Sequence, residues 1–168
     1  MTAPQSSYPL LGHGFFWQDL KVGQKLQTFN RTVTETDLVN FISCTGMLEV
    51  IFIDAEGAAS AIGGRPVPAA LTYSLIEGFI LQTMIQGTGM AMLECTQKVL
   101  GPVRVNDTIH AVVEVAGVKP TSKGNRAIVD SNVDVFNQRG EPVLRYTARR
   151  MLAGRPDASR TDSKDSGQ

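Results

Sequence analysis

The stretch from 69 to 86 constrains this chain more than any other. Leu71, Tyr73, Leu75, Ile76, Phe79, Ile80, Leu81, Met84 and Ile85 fall within it. At a helical period they cover most of the circumference, and a helix apolar nearly all round has to be wrapped by other structure. Pro66 and Pro68 prescribe a rigid, extended entry, and Gly87 and Gly89 end the run. From Ala91 onward the period changes to two, which predicts strands over 91–103, 108–119, 126–136 and 142–152. Asn106-Asp107 and the segments 121–125 and 137–140 supply the turns. Val129, Val133 and Val135 alternate with Asp130, Asn132 and Asp134, the mark of an antiparallel sheet with one wet face. The expected fold is α+β, an antiparallel sheet curled around a central helix. Such a sheet leaves open edges, so a dimer formed by edge or face pairing is expected.

Ahead of the central helix, 25–33 reads as a first strand. Thr34 is placed to cap a helix, with Asp37 completing a capping box. Leu38, Phe41 and Ile42 share one face of that helix, and Gly46 is placed to end it. A short second helix is expected over 54–62. The 168 residues suit one domain, taken as 14–153 between a flexible lead-in over 1–13 and a disordered tail over 154–168. The tail, GRPDASRTDSKDSGQ, has no large apolar residue.

Lys plus Arg, 16, balances Asp plus Glu, 16, which favours neither nucleic acid nor an anionic membrane as a partner. Glu77, Gln82 and Gln86 interrupt the longest apolar run, so no membrane span is expected. The start lacks the basic end and long apolar core of a signal peptide. Cys44 and Cys95 form no paired motif. A cytoplasmic setting follows as the expectation, with both cysteines read as small buried residues. His13 and His110 have no partners at metal spacing, so neither a metal nor a cofactor is expected.

Several motifs carry a family resemblance. GFFWQDLKVGQ, RTVTETDLVNF, KVLGPVRVNDTI and GNRAIVDSNVDVFNQRGEPVLRY each resemble segments of MaoC-like dehydratases and (R)-specific enoyl-CoA hydratases, and together they reach across most of 14–152. The resemblance implies the hotdog fold and an acyl-thioester enzyme that adds or removes water across the 2,3 bond of an acyl-CoA. That chemistry needs a group to deprotonate water, a proton for C2, and N–H groups at a helix start to stabilise the thioester oxyanion.

The family supplies its Asp and His from a motif resembling TGDxNPxHxD. Aligned on Thr45-Gly46 and Asp54, the Asp falls on Met47, the Asn on Glu49, the Pro on Val50 and the His on Phe52. Neither Met nor Phe titrates. The family's AHG at the entry of the central helix is matched here by Val67-Pro68-Ala69. Ala69 and Ala70 still offer N–H groups at the helix start, so Pro68, Ala69 and Ala70 join Met47, Phe52 and Tyr73 as candidate substrate contacts.

Two carboxylates are candidates for substitute chemistry. Glu77 sits in an apolar stretch, where burial raises a carboxyl pKa, and its spacing resembles that of the acidic residue in hotdog acyl-CoA thioesterases. The structural alternative pairs it with a backbone group or a partner subunit. Glu49 stands within the quoted motif, with a solvated loop position as its alternative. Arg65 is a candidate contact for a CoA phosphate, with a structural role as its alternative; Arg104, Lys119 and Lys123 are further basic candidates. Three readings stand at this point: a hydratase or dehydratase with substitute residues, an acyl-CoA-binding or partner subunit without turnover, and a thioesterase using Glu77. The subunit reading includes a heterodimer in which an active hotdog partner supplies the missing pair, as well as a homodimer or larger homo-oligomer.

Overall fold

The structure, a computed structural model, describes residues 10–56 and 63–156. A single 3-10 turn, Trp17–Asp19, leads into strands β1 (Lys25–Gln27) and β2 (Arg31–Thr32). Helices α1 (Glu35–Thr45), α2 (Val50–Ile53) and α3 (Ala69–Gln82) follow. The long strands β3 (Gly89–Val99), β4 (Thr108–Pro120), β5 (Arg126–Phe136) and β6 (Pro142–Ala153) complete the chain. The strands form one sheet in the order β1-β4-β5-β6-β3, with β2 also pairing β4.

The hotdog arrangement anticipated from the sequence is present. Leu71, Ile76 and Ile80 of α3 enter one core with Ala111, Val113 and Val115 of β4, Val129, Val133 and Val135 of β5, and Leu144, Tyr146 and Leu152 of β6. Strands β4, β5 and β6 alternate buried and less buried residues as a half-wet sheet requires.

Strand β3 differs. It is paired with β6 on one side only, and all eleven of its residues are exposed. Helix α3 leaves it uncovered, so the wrapping expected from the apolar circumference is incomplete, and Leu81 of α3 is 52% exposed. Cys95 on β3 and Cys44 on the outer face of α1 are exposed as well, correcting the expectation that both are buried.

Other boundaries shift for local reasons. The strand expected over 25–33 breaks after Gln27, where the Thr28 hydroxyl accepts the Ala111 N–H and replaces a ladder bond. Helix α3 stops at Gln82 rather than 86 because the Thr83 hydroxyl turns back onto the Phe79 carbonyl at 2.6 Å. The helix after Gly46 spans Val50–Ile53, ahead of the 54–62 expected; residues 57–62 of that expectation lie outside the described residues.

The first helix is as read. The Thr34 hydroxyl accepts the Asp37 N–H, the Asp37 carboxylate accepts the Thr34 N–H at 2.9 Å, and Gly46 ends the helix at φ 72°. That φ favours glycine.

Toward the termini, Gly14 N–H donates to the Gln86 carbonyl at 2.8 Å. A Cβ on Gly14 would meet that backbone at 2.5 Å. Gly154 N–H donates to Asn125 and Arg155 pairs with Asp19, so the chain is held through the first residues of the expected tail. Residues 1–9 and 157–168 lie outside the described residues. Among the described residues, no helix is long and apolar enough to cross a membrane, and no three potential ligands cluster to hold a metal.

Candidate functional site

Two cavities flank α3 on the side it turns toward β6 and β3. The first, of about 390 Å³, lies at the helix start and is lined by Phe52, Ala69, Thr72, Leu100, Val103 and Leu144, among others. Pro68 occupies the N-cap with φ −54° and ψ 137°, an extended entry set by its ring. Intrahelical bonding begins with the Leu71 N–H on the Pro68 carbonyl at 2.9 Å. The N–H groups of Ala69 and Ala70 precede it and belong to the orphan donors of any helix start. Ala69 stands in the cavity wall, so the positive end of the α3 dipole is offered there. No wall residue of this cavity carries a side chain that titrates.

Phe52, which matches the family's His, is in that wall and half-buried. Met47, which matches the Asp, is 41% exposed and lies outside it. Glu49 takes neither acid nor base position in the cavity: it N-caps α2, its carboxylate accepting the Ile51 N–H at 2.8 Å. Arg65 pairs with Glu35 in the first turn of α1, the structural alternative weighed for it. Arg104 packs its side chain against Gly63 and Gly64. Lys119 and Lys123 are exposed and outside both cavities.

The second cavity, of about 630 Å³, lies beside the C-terminal half of α3. Tyr73, Glu77, Leu81, Ile85, Met90, Met92 and Arg150 help to line it. Glu77, 8% exposed, does not stand alone. Its Oε1 accepts the Tyr146 hydroxyl at 2.7 Å and Arg150 Nη2 at 2.5 Å. Tyr73 meets Tyr146 edge-on with ring centroids 5.1 Å apart. Burial, and then the negative charge of Glu77, pushes both phenols well above the usual tyrosine range, so both stay protonated at neutral pH. The partners expected for Glu77 were a backbone group or a second subunit; it has instead Arg150 and Tyr146 of its own chain.

Sequence reasoning passed over Arg150 and Tyr146. A signal was there: in β6, Arg150 falls in phase with Leu144, Tyr146, Ala148 and Leu152, so a period-two reading points it inward. A charge in that phase demands a partner, and Glu77 is the carboxylate on the facing helix.

The MaoC like domain pattern matches residues 19–135. The chain belongs to the MaoC-like domain family. It is 26% identical over 111 residues to the 3-hydroxybutyryl-CoA dehydratase of Methylorubrum extorquens, covering 66% of this chain and 70% of that one. Among solved structures, a MaoC-like dehydratase from Rhodospirillum rubrum superposes with a TM-score of 0.77 at 26% identity, over 86% of this chain and 100% of that one. An R-hydratase from Pseudomonas aeruginosa gives 0.72 at 28% identity, over 84% and 88%. Within this MaoC-like chain, the cavity at the start of α3 is walled by Phe52 and by other side chains that do not titrate.

Proposed function

We propose that this MaoC-like protein binds an acyl-CoA thioester in the cavity at the start of α3, and that positions 47 and 52 carry out no hydration of it. The observation behind this is Ala69, the first residue of the helix, in the wall of a cavity with no titratable side chain. A thioester carbonyl is an acceptor of matching size for an orphan N–H, and the dipole end stabilises the negative charge on its oxygen. An acyl chain finds the remaining walls apolar. Adding water to a 2,3 double bond needs a base for the water and an acid for C2; Met47 and Phe52 are neither.

The related 3-hydroxybutyryl-CoA dehydratase is named for a CoA thioester, which supports this ligand class. The uncovered edge of β3 favours assembly with a second hotdog chain. A homo-oligomer leaves the binding reading intact, whereas an active partner subunit would add the missing pair from outside. Hydrolysis by Glu77 is disfavoured by its pairing, because Oε1 already accepts from both Arg150 and Tyr146.

The test is a panel of saturated and enoyl-CoA thioesters offered to the purified protein. Calorimetry should show saturable binding, with no loss of enoyl absorbance and no release of thiol. Thiol release abolished by Glu77→Gln would replace the binding reading with hydrolysis. Loss of enoyl absorbance in the homogeneous protein would restore the hydratase reading, and absence of binding across the panel would end the thioester reading.

A further inference from the structure

The second cavity contains hydrogen-bonding capacity that the fold leaves unused. Arg150 is 3% exposed, and its Nε and Nη1 are buried with no hydrogen-bond partner among the described residues. Only Nη2 is engaged, on Glu77. Glu77 is one-sided too: both of its hydrogen bonds end on Oε1, and Oε2 takes neither. Buried polar groups left unmatched are costly, and a buried ion pair is seldom a gain over apolar residues of equal size. The retention of both beside an open volume of about 630 Å³ points to a group that enters and completes the bonding.

We propose that this cavity receives the distal part of the bound acyl group and selects one carrying a neutral hydrogen-bonding substituent, such as a hydroxyl. The inference rests on the thioester reading above. Thr72 lines the first cavity and Tyr73 the second, and Leu144 and Arg150 of β6 do the same, so the two lie along one flank of α3. From Ala69 to Glu77 the helix rises about 12 Å, the reach of a medium-chain acyl group whose carbonyl is held at the helix start. Leu81, Met90 and Met92 supply apolar contact around the chain, with the methionines able to adapt to its shape. A hydroxyl at its far end can donate to Glu77 Oε2 and, once the enclosed Arg150 guanidinium shifts toward it, accept from Nε or Nη1.

The charge count selects neutral over ionic. The positive charge of Arg150 is already matched by Glu77, so a terminal carboxylate would bring an uncompensated negative charge into a buried site. An unsubstituted alkyl end would leave the Arg150 donors unmatched.

Three probes decide the matter by calorimetry: octanoyl-CoA, omega-hydroxyoctanoyl-CoA and the CoA thioester of the corresponding omega-carboxylic acid. The hydroxylated thioester should bind about tenfold tighter than octanoyl-CoA, the scale of a hydrogen bond to a charged group, with the carboxylate weaker than either. In the double variant Glu77→Leu, Arg150→Met the preference should reverse toward octanoyl-CoA. Equal affinities in the wild type, or strongest binding of the carboxylate, would overturn the proposal while leaving the thioester reading in place. No binding of any probe would overturn both. The wild-type comparison suffices by itself if the double variant folds poorly.

Discussion

The two ends of α3 make opposite use of the same helix. At its start a small cavity is bordered by Ala69, the first helical residue, among side chains that neither gain nor lose protons. At its far half a larger cavity is bordered by a buried carboxylate and guanidinium, with Tyr73 in its wall and Tyr146 bonded to the carboxylate behind it. The start of α3 thus has no titratable side chain in its cavity, while the far half has a carboxylate and a guanidinium tied up in pairing.

The contrast is sharpest if one partner of the buried pair is removed. Arg150→Met leaves Glu77, 8% exposed, stripped of its cation. It should lower unfolding free energy by about 3–5 kcal/mol, whereas the double Glu77→Leu, Arg150→Met should lie near the wild type. Urea denaturation of the three proteins measures both; a single variant as stable as the double would show that the pair carries no buried charge.

The phenols give the next largest effect. Tyr146→Phe removes a buried donor to Glu77 and should cost about 1–3 kcal/mol in the same assay. They also set an alkaline limit. A tyrosine whose folded pKa is raised contributes stability in full below its unfolded pKa, near 10, and that contribution is lost as pH climbs toward the folded value. Stability should therefore fall above about pH 10, by up to roughly 1.4 kcal/mol per pH unit for Tyr146 and by less for the partly exposed Tyr73, where solvent screens the effect. Tyr73→Phe should remove one tyrosine's share of that slope; an unchanged slope would mean that Tyr73 ionises freely in the folded state.

These effects concentrate where the sequence was least legible. The sheet, the central helix and the α1 capping box follow from periodicity and from Thr34, Asp37 and Gly46, because local spacing records local geometry. Which side of α3 stays open does not follow. The apolar circumference of 69–86 says that the helix is wrapped; that β3 is left at the edge, paired with β6 alone, is a matter of strand order, a nonlocal quantity. Cys95 was misjudged for that reason, since period-two residues on an edge strand read like those of a covered one. Glu77 stood out as a polar residue in an apolar run, but its partners lie 69 and 73 positions away along the chain. Only the in-phase position of Arg150 hinted at the pairing. At the other end, the capping role of Glu49 required knowing that α2 starts at Val50.

An exposed polar cluster calibrates the buried one. Thr34 and Asp37 form their box in solvent, where burial works against the Asp37 carboxylate and bonds from Thr34 and Arg31 nonetheless hold its pKa below the usual value. Thr34→Ala should cost about 1 kcal/mol, well under the effect of Arg150→Met. A group of depressed pKa contributes stability above its unfolded pKa and loses it as pH falls through the folded one. Asp37→Asn should accordingly flatten the decline in stability below about pH 4, as thermal melts across that range can read. A variant with the wild-type acid profile would mean that the cap bonds do not depend on charge.

The smallest stability change belongs to the substitution that most directly probes binding. Ala69 is the first residue of α3, a position where proline is well accommodated because its missing N–H would have been an orphan and its φ suits a helix start. Pro68, already extended at ψ 137°, satisfies the restriction that a following proline imposes. Ala69→Pro should thus alter stability by no more than about 0.5 kcal/mol, yet it deletes the donor that the cavity wall presents. If that donor holds the thioester carbonyl, affinity for octanoyl-CoA should fall by about 1 kcal/mol, roughly fivefold, while the relative preference for the hydroxylated chain is retained because its selecting groups lie at the other cavity. Unchanged affinity in a normally folded variant would remove the carbonyl from the start of α3 and, with it, the division of labour between the two ends.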